Sequence, residues 1–263
     1  MPATSGFQLF ESDLPILQHV YELRLATIPL IAELVGRSYK RTAERLAKLE
    51  ERDYLKCIAR RPAKHVYAIG REGVAVLIEH GYAPREVADK RLRQHEMKEL
   101  GIRHALFVAE IHAKLIRLTA ARALALGRWV EGSSLFDQVI TSDNAKIPIR
   151  PDAWFTIEGP EDEAHLFLEA DRGTMAHSKM REKVTGYAAY FQQQRHVQKY
   201  EGMKAFRVAT VTETRGRAED LAAEFRSMMP AHWAAAYPVV AFEDLSLEVL
   251  VPELARQVQA ETE

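Results

Sequence analysis

Three carboxylates in the second half of the chain have the spacing of a metal-dependent hydrolytic site. Asp152 follows Pro151 at the start of one predicted strand, and Glu169 and Asp171 lie at the end of a later one. Because side chains alternate along a strand, Glu169 and Asp171 share a face. If Asp152 lies on the neighbouring strand, the three acids converge, and a hard cation such as Mg²⁺ would relieve their repulsion. Such an ion could activate water against a phosphodiester.

The helix predicted after these acids carries basic and phenolic groups on one side. Lys183 and Tyr187 are four residues apart on the next predicted helix, with Lys179 one turn earlier on the same side. This face could meet a phosphate, with Lys183 and Tyr187 as catalytic residues. Two alternatives stay open. The acids could pair with Arg172 or Lys183 at a solvated strand end, or a degenerate nuclease fold could serve dimerisation.

Basic residues are concentrated in one short segment near the N-terminus. The net charge of the chain is −1, but residues 37–64 contain ten basic side chains against four acidic ones. A local excess of this kind favours contact with nucleic acid. The residues predicted to contact double-stranded DNA are Ser38, Tyr39, Lys40, Arg41, Thr42, Arg45, Lys48, Arg60, Arg61 and Lys64.

The elements that present this charge are predicted to be three helices and two short strands over residues 14–69. This is the order of a winged helix-turn-helix. Residues 38–52 are the predicted recognition helix, in which Arg41 and Arg45 are expected to read base edges in the major groove. Residues 60–64 are the predicted wing tip, whose cations contact phosphates or the minor groove. The alternative is a small interaction domain with solvated charges.

The rest of the chain is predicted to form a mixed α/β domain. A long helix over residues 102–126, closed by Gly127, comes first. Strands are then predicted at 134–140, 153–157, 164–170, 205–211 and 239–242, and helices at 175–194 and 218–228. This order implies a mixed sheet rather than a second helical bundle.

The predicted fold class is therefore α+β, with a winged helix-turn-helix followed by a mixed α/β domain. The expected parts are a DNA-binding domain at 12–80, a helical connector at 81–100, the α/β domain at 101–250 and a mobile tail at 251–263.

Composition narrows the class of protein further. The single cysteine, Cys57, excludes an internal disulfide and a multi-thiolate zinc site. No apolar run is long enough to span a membrane, and residues 1–10 lack a basic segment followed by an apolar one. A cytoplasmic protein without a membrane partner is expected.

Two resemblances rest on particular runs of sequence. Residues 28–70, with Ile-Ala-Glu-Leu-Val-Gly at 31–36 and Val-Tyr-Ala-Ile-Gly-Arg-Glu-Gly at 66–73, resemble the winged-helix domains of bacterial transcriptional regulators. Pro151-Asp152, then Glu169-x-Asp171 and a helix, resembles the PD-(D/E)XK nuclease superfamily. Asp171 stands where that superfamily has a lysine, and the resemblance implies that Lys183 takes its place.

The combined pattern also resembles one family. The pattern consists of a winged helix, the run Leu-Glu-Ala-Asp-Arg-Gly-Thr at 168–174 and Lys183-x-x-x-Tyr187. Up to about residue 211, it resembles the replication-relaxation proteins of plasmids and mobile elements. The resemblance implies a role in plasmid replication, mobilisation or control of their genes, through DNA relaxation or relaxosome assembly.

Three functions are open at this point. The first is a sequence-specific DNA-binding accessory factor or transcriptional autoregulator, acting as a homodimer on an inverted repeat. The second is a Mg²⁺-dependent nickase or endonuclease that uses the carboxylates and Lys183. The third is a scaffold that recruits a relaxase or a replication initiator.

Overall fold

Helices and strands alternate along the chain, so the mixed α+β class that the sequence predicts is confirmed. The computed structural model describes residues 7–61, 64–83, 91–92, 97–142 and 144–262. The chain divides into two compact units, Met1–Ala113 and Lys114–Glu263. In the described ranges, no helix has both the length and the apolar character needed to cross a membrane.

The first unit combines helices with a three-stranded sheet. Its elements are α1 (Leu14–Leu23), β1 (Ala26–Thr27), α2 (Ile28–Leu34), α3 (Tyr39–Glu50), β2 (Leu55–Arg61), β3 (Lys64–Ile69), α4 (Arg71–Glu79) and the first part of α5 (Glu99–Ala120). The strand order is β1-β3-β2, with β3 antiparallel to both neighbours. Leu17, Ile31 and Leu46 from the first three helices are fully buried in one apolar cluster. Apolar side chains at helical spacing thus hold α3 against the unit's core.

The position of α3 depends on the turn before it. Gly36 has a φ of 64°, a conformation that glycine adopts without the steric cost of a side chain. Ser38 is extended, and its carbonyl oxygen accepts the first helical hydrogen bond from the amide of Thr42 at 3.0 Å. The helix ends at Glu50, and Asp53 in the following turn has a φ of 55°. The helix is therefore slightly shorter than the predicted 38–52.

The second unit is built on a five-stranded sheet and a two-stranded sheet. Its strands are β4 (Ala125–Val130), β5 (Asp137–Ile140), β6 (Lys146–Ile149), β7 (Ala153–Glu158), β8 (Glu163–Asp171), β9 (Arg207–Thr212) and β10 (Val239–Ala241). Its helices are α6 (His177–Gln192), α7 (Arg195–Lys199), α8 (Arg215–Met228), α9 (Ala231–Ala234), α10 (Leu247–Leu250) and α11 (Pro252–Thr262). The larger sheet has the order β10-β9-β8-β7-β4, and β5 pairs with β6.

The carboxyl ends of β8 and β9 meet at one edge of the larger sheet. The two strands are parallel, with Asp171 beside Thr212 at their ends. β7 runs antiparallel to β8, so its first residues come to the same edge. Phe167 of β8 and Tyr187 of α6 are packed in one apolar cluster. Because side chains alternate, Glu169 and Asp171 lie on the same face of β8 as Phe167.

Two predictions about the second half of the chain are wrong. The long helix ends at Ala120 rather than near 126, and Gly127 lies within β4. A Cβ atom at Gly127 would collide with the Glu158 carboxylate on β7, so this glycine permits close strand pairing and does not cap a helix. Most of the expected mobile tail forms α11, in which Leu254 is buried, and its mobility stays a prediction.

Candidate functional site

The outer face of α3 carries basic side chains that reach solvent. Ser38, Tyr39, Lys40, Arg41 and Lys48 are exposed, and the side chain of Tyr39 is one of the most exposed large aromatic groups, at 56%. Among the described residues, no hydrogen bond or ion pair holds the cations of this set. These charges are therefore available to a polyanion.

Thr42 does not belong to this face. It is fully buried, and its hydroxyl donates to the carbonyl oxygen of Ser38 at 3.1 Å. The predicted contact between Thr42 and DNA is thus wrong, because the residue packs toward the core with Leu46 and Leu49.

Arg45 also departs from the prediction, because its guanidinium is already occupied. Its Nε donates to the Asp13 carboxylate at 2.7 Å, and a second, shorter bond joins the same two groups. The Arg45 side chain is 14% exposed and that of Asp13 is 1% exposed. A bidentate pair this deeply buried ties α3 to the start of α1. The expectation that Arg45 reads bases is therefore replaced by a structural role.

The predicted wing is the hairpin of β2 and β3. Arg60 pairs with His65 and Arg61 with Lys64 in the backbone register. Residues 62–63 and the side chains of Arg60, Arg61 and Lys64 lie outside the described part of the chain. Their contact with phosphate stays a prediction.

A buried charge cluster occupies the carboxyl end of β8. Glu169 is 4% exposed, and its carboxylate accepts a hydrogen bond from the Tyr187 hydroxyl at 2.6 Å. Lys183 makes an ion pair with the other carboxylate oxygen. The helix face that the sequence places near phosphate thus turns toward Glu169 in the structure. Tyr187 is buried, so it does not face solvent.

Burial governs the ionisation of Glu169. Loss of water raises the pKa of Glu169 to about 7, although Lys183 and Tyr187 both act to lower it. Burial lowers the pKa of Lys183, but the carboxylates of Glu169, Asp152 and Asp171 together outweigh it, so that this pKa is raised. The ammonium group therefore stays charged, and the cost of burial falls on the acid.

Asp171 has a different cationic partner, Arg217 at the start of α8. The Nε atom of Arg217 donates to Asp171 at 2.6 Å, and a terminal nitrogen donates to the Met175 carbonyl oxygen at 2.7 Å. The same guanidinium lies 2.7 Å from Nε2 of His177, whose Nδ1 contacts Glu224 at 2.5 Å. These contacts fasten the loop after β8 to α6 and α8.

Sequence reasoning missed Arg217, because the pattern beyond residue 214 is weak. It also missed Asp13, whose pairing with Arg45 spans 32 positions of the chain. Neither contact can be predicted from the spacing of residues along the chain, because each joins separate elements that meet only when the chain folds.

The third predicted metal ligand, Asp152, accepts a hydrogen bond from the amide of Ala170 at 2.7 Å. Among the described residues, no three His, Cys, Asp or Glu side chains are grouped so that they could hold a metal ion. The expected three-carboxylate Mg²⁺ site of Asp152, Glu169 and Asp171 is therefore not formed in this arrangement. Lys183 and Arg217 supply the positive charge at Glu169 and Asp171 instead.

The burial of Glu169 predicts a specific dependence of stability on pH. A carboxyl whose pKa rises from 4.5 to about 7 on folding stabilises the fold below pH 4.5, and this contribution is lost as the pH rises through 7. Through Glu169, we expect the parent protein to lose on the order of 2–3 kcal/mol of stability between about pH 5 and pH 8. This loss should be absent in Glu169→Gln. Denaturant unfolding at both pH values measures the difference.

The matched control for this prediction is Glu161→Gln, at an exposed position. It should leave the pH dependence of the parent protein unchanged. An identical pH dependence in Glu169→Gln and the parent would show that Glu169 does not titrate in this range.

Comparison with known proteins adds one finding. The sequence profile of the replication-relaxation family matches residues 17–205. This range includes α3, the hairpin and the cluster at Glu169. No curated protein and no solved structure was found to match.

Proposed function

The chain belongs to the replication-relaxation family, and from this premise we propose that it is a sequence-specific double-stranded DNA-binding protein. Family membership points to the replication or mobilisation of a plasmid or mobile element. In the proposal, the protein acts there as an accessory factor or as a regulator of its own gene. Its first unit is a winged helix-turn-helix, with α3 as the recognition helix and the β2–β3 hairpin as the wing.

One observation carries the proposal: three exposed cations of α3 have no partner among the described residues. Lys40, Arg41 and Lys48 are open to solvent on a helix whose other face is buried. A helix that presents arginine and lysine in this way fits the major groove of DNA, where arginine recognises guanine edges. Tyr39 in the first turn adds an exposed ring that can pack on the sugar-phosphate backbone.

The hairpin gives this helix a second contact with the same duplex. β2 follows α3 after a short turn, and the hairpin ends in a basic tip at 60–64. Phosphate contacts from this tip would add affinity that is independent of base sequence. Two copies on an inverted repeat would double both contributions, which is why a homodimer is part of the proposal.

The test is footprinting on the DNA upstream of the protein's own gene. We expect two protected half-sites, one or more helical turns apart and related by inversion. The full chain should protect this region at concentrations that leave a scrambled duplex unprotected. Absence of any protected inverted repeat would contradict sequence-specific autoregulation.

The alternative of a Mg²⁺-dependent nickase receives less support from the geometry. Glu169 is engaged by Lys183 and Tyr187, and Asp171 by Arg217. The positive charge of Lys183 and Arg217 would repel a metal ion brought to the same carboxylates. The contacts of this cluster fit the cohesion of the second unit better than hydrolysis.

A further inference from the structure

A short N-terminal segment lies along one flank of α3. We call residues 7–12 the N-terminal strap. The strap meets α3 at both ends of the helix. Ser12, its last residue, lies beside Arg37, which precedes α3. Phe7, its first residue, lies beside Arg52, which follows α3. The three cations in contact with the strap are Arg37, Arg45 and Arg52.

The strap's backbone supplies hydrogen-bond acceptors to two of these arginines. A terminal nitrogen of Arg37 donates to the Ser12 carbonyl oxygen at 2.8 Å, and one of Arg45 donates to the Gln8 carbonyl oxygen at 2.8 Å. Guanidinium N–H groups are the groups with which arginine recognises a phosphate. At each position the strap's carbonyl oxygen takes up a donor that a phosphate could otherwise use.

The strap's aromatic rings lie over Arg45 and Arg52. The guanidinium of Arg45 lies 5.1 Å from the ring centre of Phe7 and 4.9 Å from that of Phe10. Phe7 also lies 5.7 Å from the guanidinium of Arg52 and stacks on Tyr54 at 5.4 Å. Phe10 keeps this position although half of its surface is exposed, at 50%. Cation–π attraction explains why an exposed aromatic ring is held there.

A groove of about 410 Å³ separates the strap from the open side of α3. Arg41 and Lys48, which have no partner among the described residues, line it together with Arg37. A DNA backbone that reaches Arg41 and Lys48 would therefore arrive beside the strap. The strap and the DNA would compete for the neighbouring arginines.

We infer that the strap is an autoinhibitory element of the recognition helix. It engages Arg37 through a hydrogen bond and holds the Phe7 ring over one face of Arg52, which is otherwise exposed. It also shields the outer face of Arg45, whose inner face stays paired with Asp13. Displacement of the strap adds two cations to the set that contacts phosphate. This inference rests on the proposed DNA binding, and it explains why only part of the basic surface of α3 is open.

The test compares the parent chain with Phe7→Ala/Phe10→Ala, using a mixed-sequence duplex at low salt. We expect the double variant to bind roughly three- to tenfold more tightly, with a steeper dependence on salt that corresponds to one or two more phosphate contacts. Adding Arg37→Ala and Arg52→Ala to this variant should remove the gain. If the parent binds and the double variant binds no more tightly, the strap is not inhibitory. If neither binds, the proposed DNA binding fails, and the inhibitory role fails with it.

A second measurement does not depend on the folding of a variant. In the parent chain, the amide of Phe10 donates to the Asp13 carboxylate at 2.8 Å, so its hydrogen exchange reports a docked strap. We expect exchange at residues 9–11 to become faster when the duplex is added. Slower or unchanged exchange there would overturn the inference, since it would mean that DNA leaves the strap docked.

Discussion

Arg45→Ala is expected to destabilise the first unit by about 3–5 kcal/mol, because it leaves the buried Asp13 carboxylate without its cation. Asp13 is 1% exposed, and among the described residues it would retain only the amide of Phe10 as a hydrogen-bond donor. A charge in such a position cannot recover its hydration without opening the packing around it. Denaturant unfolding followed by circular dichroism measures the effect.

The matched control for Arg45→Ala is Arg41→Ala. Both residues lie on α3 one turn apart, but Arg41 is exposed and has no partner among the described residues. We expect Arg41→Ala to change the free energy of unfolding by less than about 0.5 kcal/mol. A further variant, Asp13→Asn in the Arg45→Ala background, should recover part of the lost stability, because it removes the unpaired charge. Equal stability of Arg45→Ala and the parent would show that the Asp13–Arg45 pair does not hold α3 in place.

Reversal of two of the open charges on α3, those of Arg41 and Lys48, is expected to have the largest effect on DNA affinity. Arg41→Glu/Lys48→Glu replaces two attractive contacts with two repulsive ones on the exposed face of α3. We expect the affinity for DNA to fall by about a hundredfold or more at moderate salt, and the salt dependence to become shallower. Titration of a labelled duplex at several salt concentrations measures both quantities.

A control with the same change in net charge separates local contact from a general electrostatic effect. Lys146→Glu/Arg226→Glu reverses two exposed charges on the second unit. It should weaken DNA binding far less than the α3 variant does. If the two double variants lose affinity equally, the face of α3 has no special part in recognition, and the proposed role of this helix is contradicted.

These two experiments distinguish residues that look alike in sequence. Arg41 and Arg45 are both arginines on one side of α3, spaced by one turn. In the structure, Arg41 is open and Arg45 is bound to Asp13. Substitution of Arg41 should therefore affect DNA affinity with little change in stability. Substitution of Arg45 should affect stability directly.

Much of the element order could be predicted from local pattern. Apolar residues at helical spacing mark α1, α2 and α3, and alternation with a breaker marks the β2–β3 hairpin. The strands β7, β8 and β9 were also predicted close to their observed bounds. The short strand β1 was missed, because two residues carry no periodicity. β4 was missed because its residues continue the apolar pattern of α5 until Gly127.

The candidate sites were predicted less completely, for a physical reason. Sequence spacing places Glu169 and Asp171 on one face of a strand and Lys183 and Tyr187 on one side of a helix. It does not decide whether the acids bind a metal ion or the basic side chains around them. That choice depends on the distance between β8, α6 and α8, which is set by packing.

The sequence by itself determined the mixed fold class and the concentration of basic charge around α3, because these follow from local composition and periodicity. It also determined the family, through its match to the replication-relaxation profile. Only the tertiary structure decided which charges are open. Asp13 reaches Arg45, the strap binds Arg37, and Arg217 reaches Asp171 across long stretches of chain. The strength of an ion pair depends on distance and burial in space, and neither quantity is contained in the spacing of residues along the chain.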